Sequence, residues 1–475
     1  MAQKAVRVRF APSPTGNLHI GGLRTALFNW LFARHNAGTF LVRIEDTDKE
    51  RSEKKYVTAL LDALAWVGLE SDEEIIFQSE RQHIYKQVVD KLIAEKKAYR
   101  CICTPEEIEA RVRAVGNLEE HYGYDGFCKD RKISDQQVKS FGIRFVIPQD
   151  IEKVIVNDEI RGEVVFERNQ LDDFVIFRSD GTPMYNFAVV VDDYHSGITH
   201  VIRGEEHLPN TPKQMLLYSA CQYELPRFAH IPMILAPDGS KLSKRYGAVD
   251  IMSYRDQGFL PDALVNYIVR LGWAHGDQEL FNRSEMIASF TLEGVGKKAA
   301  IFDIQKLEWM NGVYMREASP AEILRLLSYI PTPIDSFEKN DQLTVAQKTE
   351  VISLYQSRVK NLIDLAGQAT VFFAGPTTYN LEDVQKWTNS LTTPSLLGRA
   401  LQVLELQSAF EHHEVGAALK GLCDIEGIKL GNLAQPLRIA LTGGASSPGV
   451  FEMLALLGKE KSIARIKTFK EFLER

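Results

Sequence analysis

The opening stretch of the chain leaves few folds available to it. Residues 6–10, VRVRF, alternate between apolar and charged as a strand does. A turn-rich segment follows, Ala11-Pro12-Ser13-Pro14-Thr15-Gly16-Asn17. Leu23, Ala26, Leu27, Trp30 and Leu31 then recur at the i, i+3, i+4, i+7, i+8 spacing of one helix face, and residues 40–44, FLVRI, form a second apolar run. Strand, glycine-containing loop, helix and strand within about forty residues make a βαβ unit, which predicts an α/β fold built on a parallel sheet.

Further along, residues 53–69 and 80–98 carry helical patterning. From about 99 to 185 the character changes. Three cysteines, short strands at 143–147 and 174–177 and frequent turn residues mark an insertion into the α/β domain. Strand character is expected again at 187–191 and 200–202, and from about residue 262 the chain reads mostly helical, with a Gly/Ser/Pro loop at 442–449. The expected division is 1–98 and 186–235 for the two halves of the sheet domain, 99–185 for the insertion, 236–320 for a connecting region and 321–475 for a helical region.

Composition narrows the setting. The chain has 475 residues, 45% hydrophobic and 25% charged, which is ordinary globular usage. No run approaches the roughly 20 apolar residues of a spanning helix. Five cysteines are too few for a disulfide scaffold, and the start MAQKAVRVRF has no apolar signal segment, so the cytoplasm is the expected location. The formal net charge of −7 means that any nucleic-acid contact must come from local basic patches.

Three segments carry chemistry. The first is the loop from Pro12 to Gly22, containing His19-Ile20-Gly21-Gly22. It leaves a strand and enters a helix, where free N–H groups and the helix dipole favour phosphate. Gly21 and Gly22 have no Cβ to keep a nucleotide from the backbone. The second is Lys241-Leu242-Ser243-Lys244-Arg245, three cations in five residues, which suits a polyphosphate whose charge grows during reaction. The third is Cys101-x-Cys103 with Tyr124 and Cys128. Spacing alone leaves it open between buried free thiols and a zinc site. Cys221 and Cys423 lie far from this group and are expected in the core.

Together the first two segments resemble the paired motifs of class I aminoacyl-tRNA synthetases. RFAPSPTG at 9–16, RIEDTD at 43–48 and VIRGEEH at 201–207 are similar to bacterial glutamyl-tRNA synthetases, and KLEWMNG at 306–312 extends the resemblance. The sister glutaminyl enzymes usually differ at the acidic 43–48 segment. Gly22 stands where the fuller family motif has a second histidine.

The resemblance implies a Rossmann-type parallel-sheet catalytic domain, an inserted α+β module for the tRNA acceptor end and a C-terminal all-α anticodon-binding region. It implies activation of L-glutamate with ATP to glutamyl-adenylate, then transfer to the 3′-terminal adenosine of tRNA(Glu), with tRNA(Gln) left open as a second acceptor. His19 and Lys244 would act on the phosphates. His19, Gly21, Gly22, Lys241, Ser243 and Lys244 would hold ATP with Mg²⁺. Arg9, Ser13, Glu45, Tyr185, Arg203 and His207 would hold glutamate. A structural Zn²⁺ would sit on Cys101, Cys103 and Cys128. Tyr124 would be its fourth ligand; other relatives use a His two residues past the last Cys, where this chain has Asp130. The resemblance also implies a monomer without a membrane partner.

Overall fold

The structure, a computed structural model, describes residues 4–47, 53–114, 124–131, 133, 141–242, 250–331, 337–340, 343–389 and 391–475. The chain divides into two compact units, 1–252 with 265–304 and 253–264 with 305–475.

In the first unit β1 (Arg7–Phe10), α1 (Ile20–His35) and β2 (Thr39–Ile44) form the expected βαβ, with β1 and β2 parallel from Arg7↔Thr39 to Phe10↔Val42. The alternation in β1 does not produce a polar face: Val8, Arg9 and Phe10 are all buried, because helices cover both sides of a parallel sheet. After α2 (Lys54–Trp66), β3 (Ile76–Phe77) pairs parallel to β2, and α3 (Gln82–Ala94) leads out of this half.

The segment 99–185 contributes to two sheets. β4 (Ala98–Cys101), β5 (Gly142–Phe145) and β8 (Val175–Phe177) form an antiparallel three-stranded sheet, with α4 (Pro105–Ala114) following β4. Between β5 and β8 lies a hairpin, β6 (Lys153–Asp158) and β7 (Gly162–Glu167), whose first strand joins the parallel sheet beside β10 (Arg227–Ile231). β10 also pairs parallel to β9 (His200–Gly204). The Arg7 N–H donates to Thr199 Oγ1 at 2.9 Å and the Thr199 N–H to the Arg7 carbonyl at 2.9 Å, which seats the start of β9 against β1. The strands on one side of this junction follow one direction of chain order and those on the other side the opposite, so the crevice at the carboxyl ends of β1 and β9 is the switch point where α/β sheets bind ligands.

One expectation fails here. Residues 187–191 are not a strand; they lie in α5 (Tyr185–His195), with α6 (Thr211–Cys221) packed near it. Phe187 to Asp193 are all buried, so the helix has no polar stripe over this stretch to declare its period.

The second unit is helical. Its core packs Leu326, Val351, Leu365, Leu397, Leu419, Leu437, Leu454 and Phe469 from successive helices, together with Cys423. Caps fix the helix starts: Thr344 accepts from the Gln347 N–H, and Asn361 from that of Asp364. Cys221 is buried in the first unit. No helix among the described residues is long and apolar enough to cross a membrane.

Candidate active site

A cleft of about 810 Å³ opens at the carboxyl ends of β1 and β9. Arg9, Ser13, His19, Gly21, Gly22, Glu45, Tyr185, Arg203, His207 and Lys241 all line it. Five segments far apart in the chain, β1 with its loop, the end of β2, the start of α5, the end of β9 and the stretch at Lys241, thereby converge on one space. Ser243 and Lys244, with Asp48 of the acidic motif, lie outside the described residues.

The floor of the cleft is a set of buried charges. Arg9 donates through Nε to Asp193 Oδ1 at 3.0 Å and through Nη2 to Oδ2 at 3.2 Å. Arg43 donates to the same Asp193 Oδ1 at 2.5 Å and to Glu45 Oε1 at 3.3 Å. Against the cost of burial, Arg43 and Arg9 hold the Asp193 carboxyl below its ordinary range. Glu45 goes the other way. Burial outweighs both arginines and pushes its carboxyl up to about 7. Asp192, the neighbour on α5, accepts from Gln78 at 2.8 Å, Arg81 at 2.7 Å and Tyr85 at 2.7 Å. The two aspartates thus anchor α5 beneath the cleft.

Arg203 is held differently. It donates through Nε to His230 Nε2 at 3.1 Å and through Nη2 to Thr211 Oγ1 at 2.8 Å. Its Nη1 is buried with no hydrogen-bond partner among the described residues. Burial, with the charge of Arg9 nearby, pulls this guanidinium below its ordinary value. A buried donor left unmatched is costly. Here it lines a cleft, so an acceptor supplied by a ligand would satisfy it. His207 is lowered to about 4 by burial and by the charges of Arg203 and Arg9, so it is neutral at pH 7; its Nδ1 lies 3.2 Å from Tyr185 Oη.

His19 is the N-cap of α1. Its Nδ1 accepts from the Gly22 N–H at 3.2 Å, so Nε2 carries the proton of the neutral ring. Desolvation in the cleft and the charge of Lys241 lower its pKa against the opposing pull of Glu206. The capping role and the position in the cleft therefore coincide. The glycines answer to packing as well as to any ligand: a Cβ at Gly22 would stand 2.8 Å from Leu18 Cδ1, and one at Gly21 3.2 Å from the His19 ring.

The cysteine group lies apart from the cleft. The sulfurs of Cys101, Cys103 and Cys128 are within 4.8 Å of one another, those of Cys103 and Cys128 at 3.5 Å. Tyr124 Oη is 3.4 Å from Cys101 Sγ and 3.8 Å from Cys103 Sγ. Tetrahedral zinc with Zn–S near 2.3 Å needs sulfurs about 3.8 Å apart, so the donors fit it. Arg144 Nε donates to Cys101 Sγ at 3.3 Å and Arg111 Nη2 to Cys103 Sγ at 3.2 Å, and adjacent guanidinium groups favour the thiolates a metal requires. Asp130 is exposed and does not belong to the group.

Residues 5–309 match the family described as tRNA synthetases class I (E and Q), catalytic domain, and residues 321–470 match the anticodon binding domain. The chain is 45% identical over 469 residues to the glutamate–tRNA ligase of Geobacter sulfurreducens, covering 99% of each chain. It is 44% identical over 462 residues to that of Thermodesulfovibrio yellowstonii, covering 97% of this chain and 98% of that one. The solved structure of a glutamate tRNA ligase from Elizabethkingia meningosepticum, in complex with its amino acid, superposes with a TM-score of 0.86 at 33% identity, covering 99% of this chain and 100% of that one.

The chain belongs to the class I tRNA synthetases of the E and Q group.

Within this synthetase, motif reading located the residues that face the cleft and missed those that hold them. Asp193, Asp192, Thr211, His230 and Asp158 were not singled out. One sequence signal existed for the first two: adjacent carboxylates that end the apolar run FAVVV at 187–191, where a charge needs a partner.

Proposed function

We propose that the protein is a glutamate–tRNA ligase, which activates L-glutamate with ATP and transfers it to the 3′-terminal adenosine of tRNA(Glu). The observation that carries the reading is Arg203, a buried cation in the cleft whose Nη1 lacks an acceptor among the described residues. A carboxylate is the ligand that satisfies a guanidinium in charge and geometry together. Arg203 and Arg9 receive the substrate side chain. Glu45, ionised when a cation arrives, receives the α-ammonium. Ser13, Tyr185 and His207 complete the lining as neutral polar groups.

Activation needs no nucleophile from the protein. The substrate α-carboxylate attacks the α-phosphate of ATP, forming the mixed anhydride and releasing diphosphate. The ribose hydroxyl of the terminal adenosine then attacks the acyl carbon and AMP leaves. The chain contributes position and charge. The His19 Nε2–H and the free N–H groups at the start of α1 serve as donors to phosphate oxygens. Gly21 and Gly22 let the nucleotide lie against this turn. Lys241 and Lys244 of the same segment supply positive charge against the negative charge that builds on the phosphates, Ser243 offers a neutral hydroxyl, and Mg²⁺ is carried by ATP.

Zinc is assigned to Cys101, Cys103 and Cys128 with Tyr124 as fourth donor. Its part is structural: it ties β4 to the segment around residue 128. Metal analysis of the purified protein is expected to give one zinc per chain, and Cys128→Ser to remove it.

The deciding experiment is a charging assay with labelled glutamate, ATP and separately transcribed tRNA(Glu) and tRNA(Gln). Charging of tRNA(Glu) is the expected result, and charging of tRNA(Gln) as well would widen the RNA specificity. No charging of either, with no glutamate-dependent ATP–diphosphate exchange, would overturn the reading.

A further inference from the structure

Arg9 and Arg203 reach the same cleft, yet their partners are opposite in kind. Arg9 faces both oxygens of the buried carboxylate Asp193. Arg203 faces an imidazole, a hydroxyl and, at 3.4 Å from Nη2, the His207 carbonyl, all neutral, and no carboxylate among the described residues pairs with it. The imidazole is itself fixed. His230 Nδ1 lies 2.6 Å from Asp158 Oδ2, and both side chains are fully buried. Asp158 Oδ1 in turn accepts from the backbone N–H of Ile160 at 3.0 Å and of Arg161 at 2.7 Å. The carboxylate therefore accepts the hydrogen bond of the Nδ1–H, and the lone pair on Nε2 is turned to the Arg203 Nε–H. Thr211 closes the arrangement. Its hydroxyl accepts from Arg203 Nη2 at 2.8 Å and lies 3.1 Å from His230 Nε2.

We propose that His230, seated on Asp158, is a positioning residue that holds Arg203 oriented but uncompensated in charge, so that the cleft selects a carboxylate side chain over the corresponding amide. The inference rests on the glutamate-ligase reading and deepens it. A carboxylate in place of His230 would grip Arg203 at least as firmly. It would also cancel the charge, and an incoming anion would then meet a finished ion pair. A neutral acceptor provides geometry without cancellation. Burial keeps His230 neutral against the pull of Asp158. Asp158 carries charge, but it stands one ring away and is occupied by backbone donors and the His230 ring. An amide substrate brings no charge to set against the desolvated guanidinium, and that unmatched cation is the element that rejects it.

The test measures ATP–diphosphate exchange in the presence of tRNA(Glu), with KM for glutamate and the inhibition constant for glutamine read on the same enzyme. Thr211→Val is isosteric and removes one neutral side-chain acceptor; His230→Leu removes the second, leaving only the His207 carbonyl; His230→Gln offers an amide oxygen in place of the imidazole. Thr211→Val and His230→Leu are expected to raise the glutamate KM about tenfold or more, the scale of a lost hydrogen bond to a charged group. Turnover, the KM for ATP and the glutamine constant should stay near the parent values, so the preference for acid over amide narrows. His230→Gln should restore most of it. Thermal unfolding checks that each variant is folded, and if His230→Leu is not, Thr211→Val decides. Equal weakening of glutamate and glutamine, or no change in either, would overturn the inference. An unsubstituted protein without glutamate-dependent exchange would instead overturn the underlying ligase reading.

Discussion

Among the described residues, every buried arginine, aspartate, glutamate and histidine lies in the first unit, while the second buries only Asn311, Thr393, Ser447 and Ser462 among its polar side chains. Both units are large enough to bury an apolar core, and the second is built round one. Burying charge is costly even when it is paired. The twelve or so residues that do it in the first unit are therefore there for what they hold in place. Arg9, Arg43, Glu45, Asp192, Asp193, Arg203 and His230 all sit under or beside the cleft. The second unit has no fully buried ionisable Arg, Asp, Glu or His among its described residues, so an RNA partner would meet most of its charges as solvated groups.

The contrast would break first at Arg203. Replacing it by Met should raise the glutamate KM by about a hundred- to a thousandfold, the cost of removing one partner from a buried charge pair. The unfolding midpoint should hold or rise, because a buried cation gives way to an apolar side chain of similar volume. A fall in stability as large as the fall in affinity would mean that the charge supports the fold. In the second unit the expectation is reversed. Leu437 is fully buried in the helical core, and Leu437→Ala should cost about 2–5 kcal/mol in denaturant unfolding while leaving the glutamate KM unchanged.

Glu45 sharpens the comparison through pH. Its carboxyl is pushed up to about 7, and it must be ionised to receive an ammonium group. Below pH 7 binding glutamate requires a proton to leave, so the apparent glutamate affinity should fall by about tenfold per pH unit on the acid side and level off above 7. Titration of KM against pH checks this, and Glu45→Gln should flatten that limb. At the small end is the exposed pair Arg325–Glu322 on the second unit, at 2.6 Å. Arg325→Ala should change stability by no more than about 1 kcal/mol, and less in high salt.

The sequence was most legible where chemistry and backbone geometry share a segment. The βαβ start, the glycines in the first turn of α1 and the strand-end arginines Arg9 and Arg203 are each visible because a segment at a strand end has a distinctive composition. The supports were not legible. Asp193 meets Arg9 across 184 residues, and His230 meets Arg203 from a neighbouring strand 27 residues on. A lone His in RFAHI looks like any polar residue in a strand, since its meaning lies in the register that sets His230 opposite Arg203. The misread segment 187–191 has the same origin. A helix buried all round gives an apolar run with no period, and the helix is declared only by tertiary packing. The cysteines sat between these cases. Their spacing left two readings open, and only the convergence of three sulfurs with Tyr124 Oη favours a metal.

The hairpin of β6 and β7 bears on how this enzyme can be rebuilt. It belongs to the stretch that interrupts the sheet domain, a stretch that looks exchangeable between relatives as a cassette. Yet β6 ends on Asp158, and Phe228 of β10 pairs with that residue. A graft that replaced 99–185 wholesale would carry away the carboxylate beneath His230 along with the inserted strands. Chimeras cut on either side of the hairpin, leaving 153–167 with the host, would keep the host's own support beneath His230 and Arg203 and change the rest of the insertion.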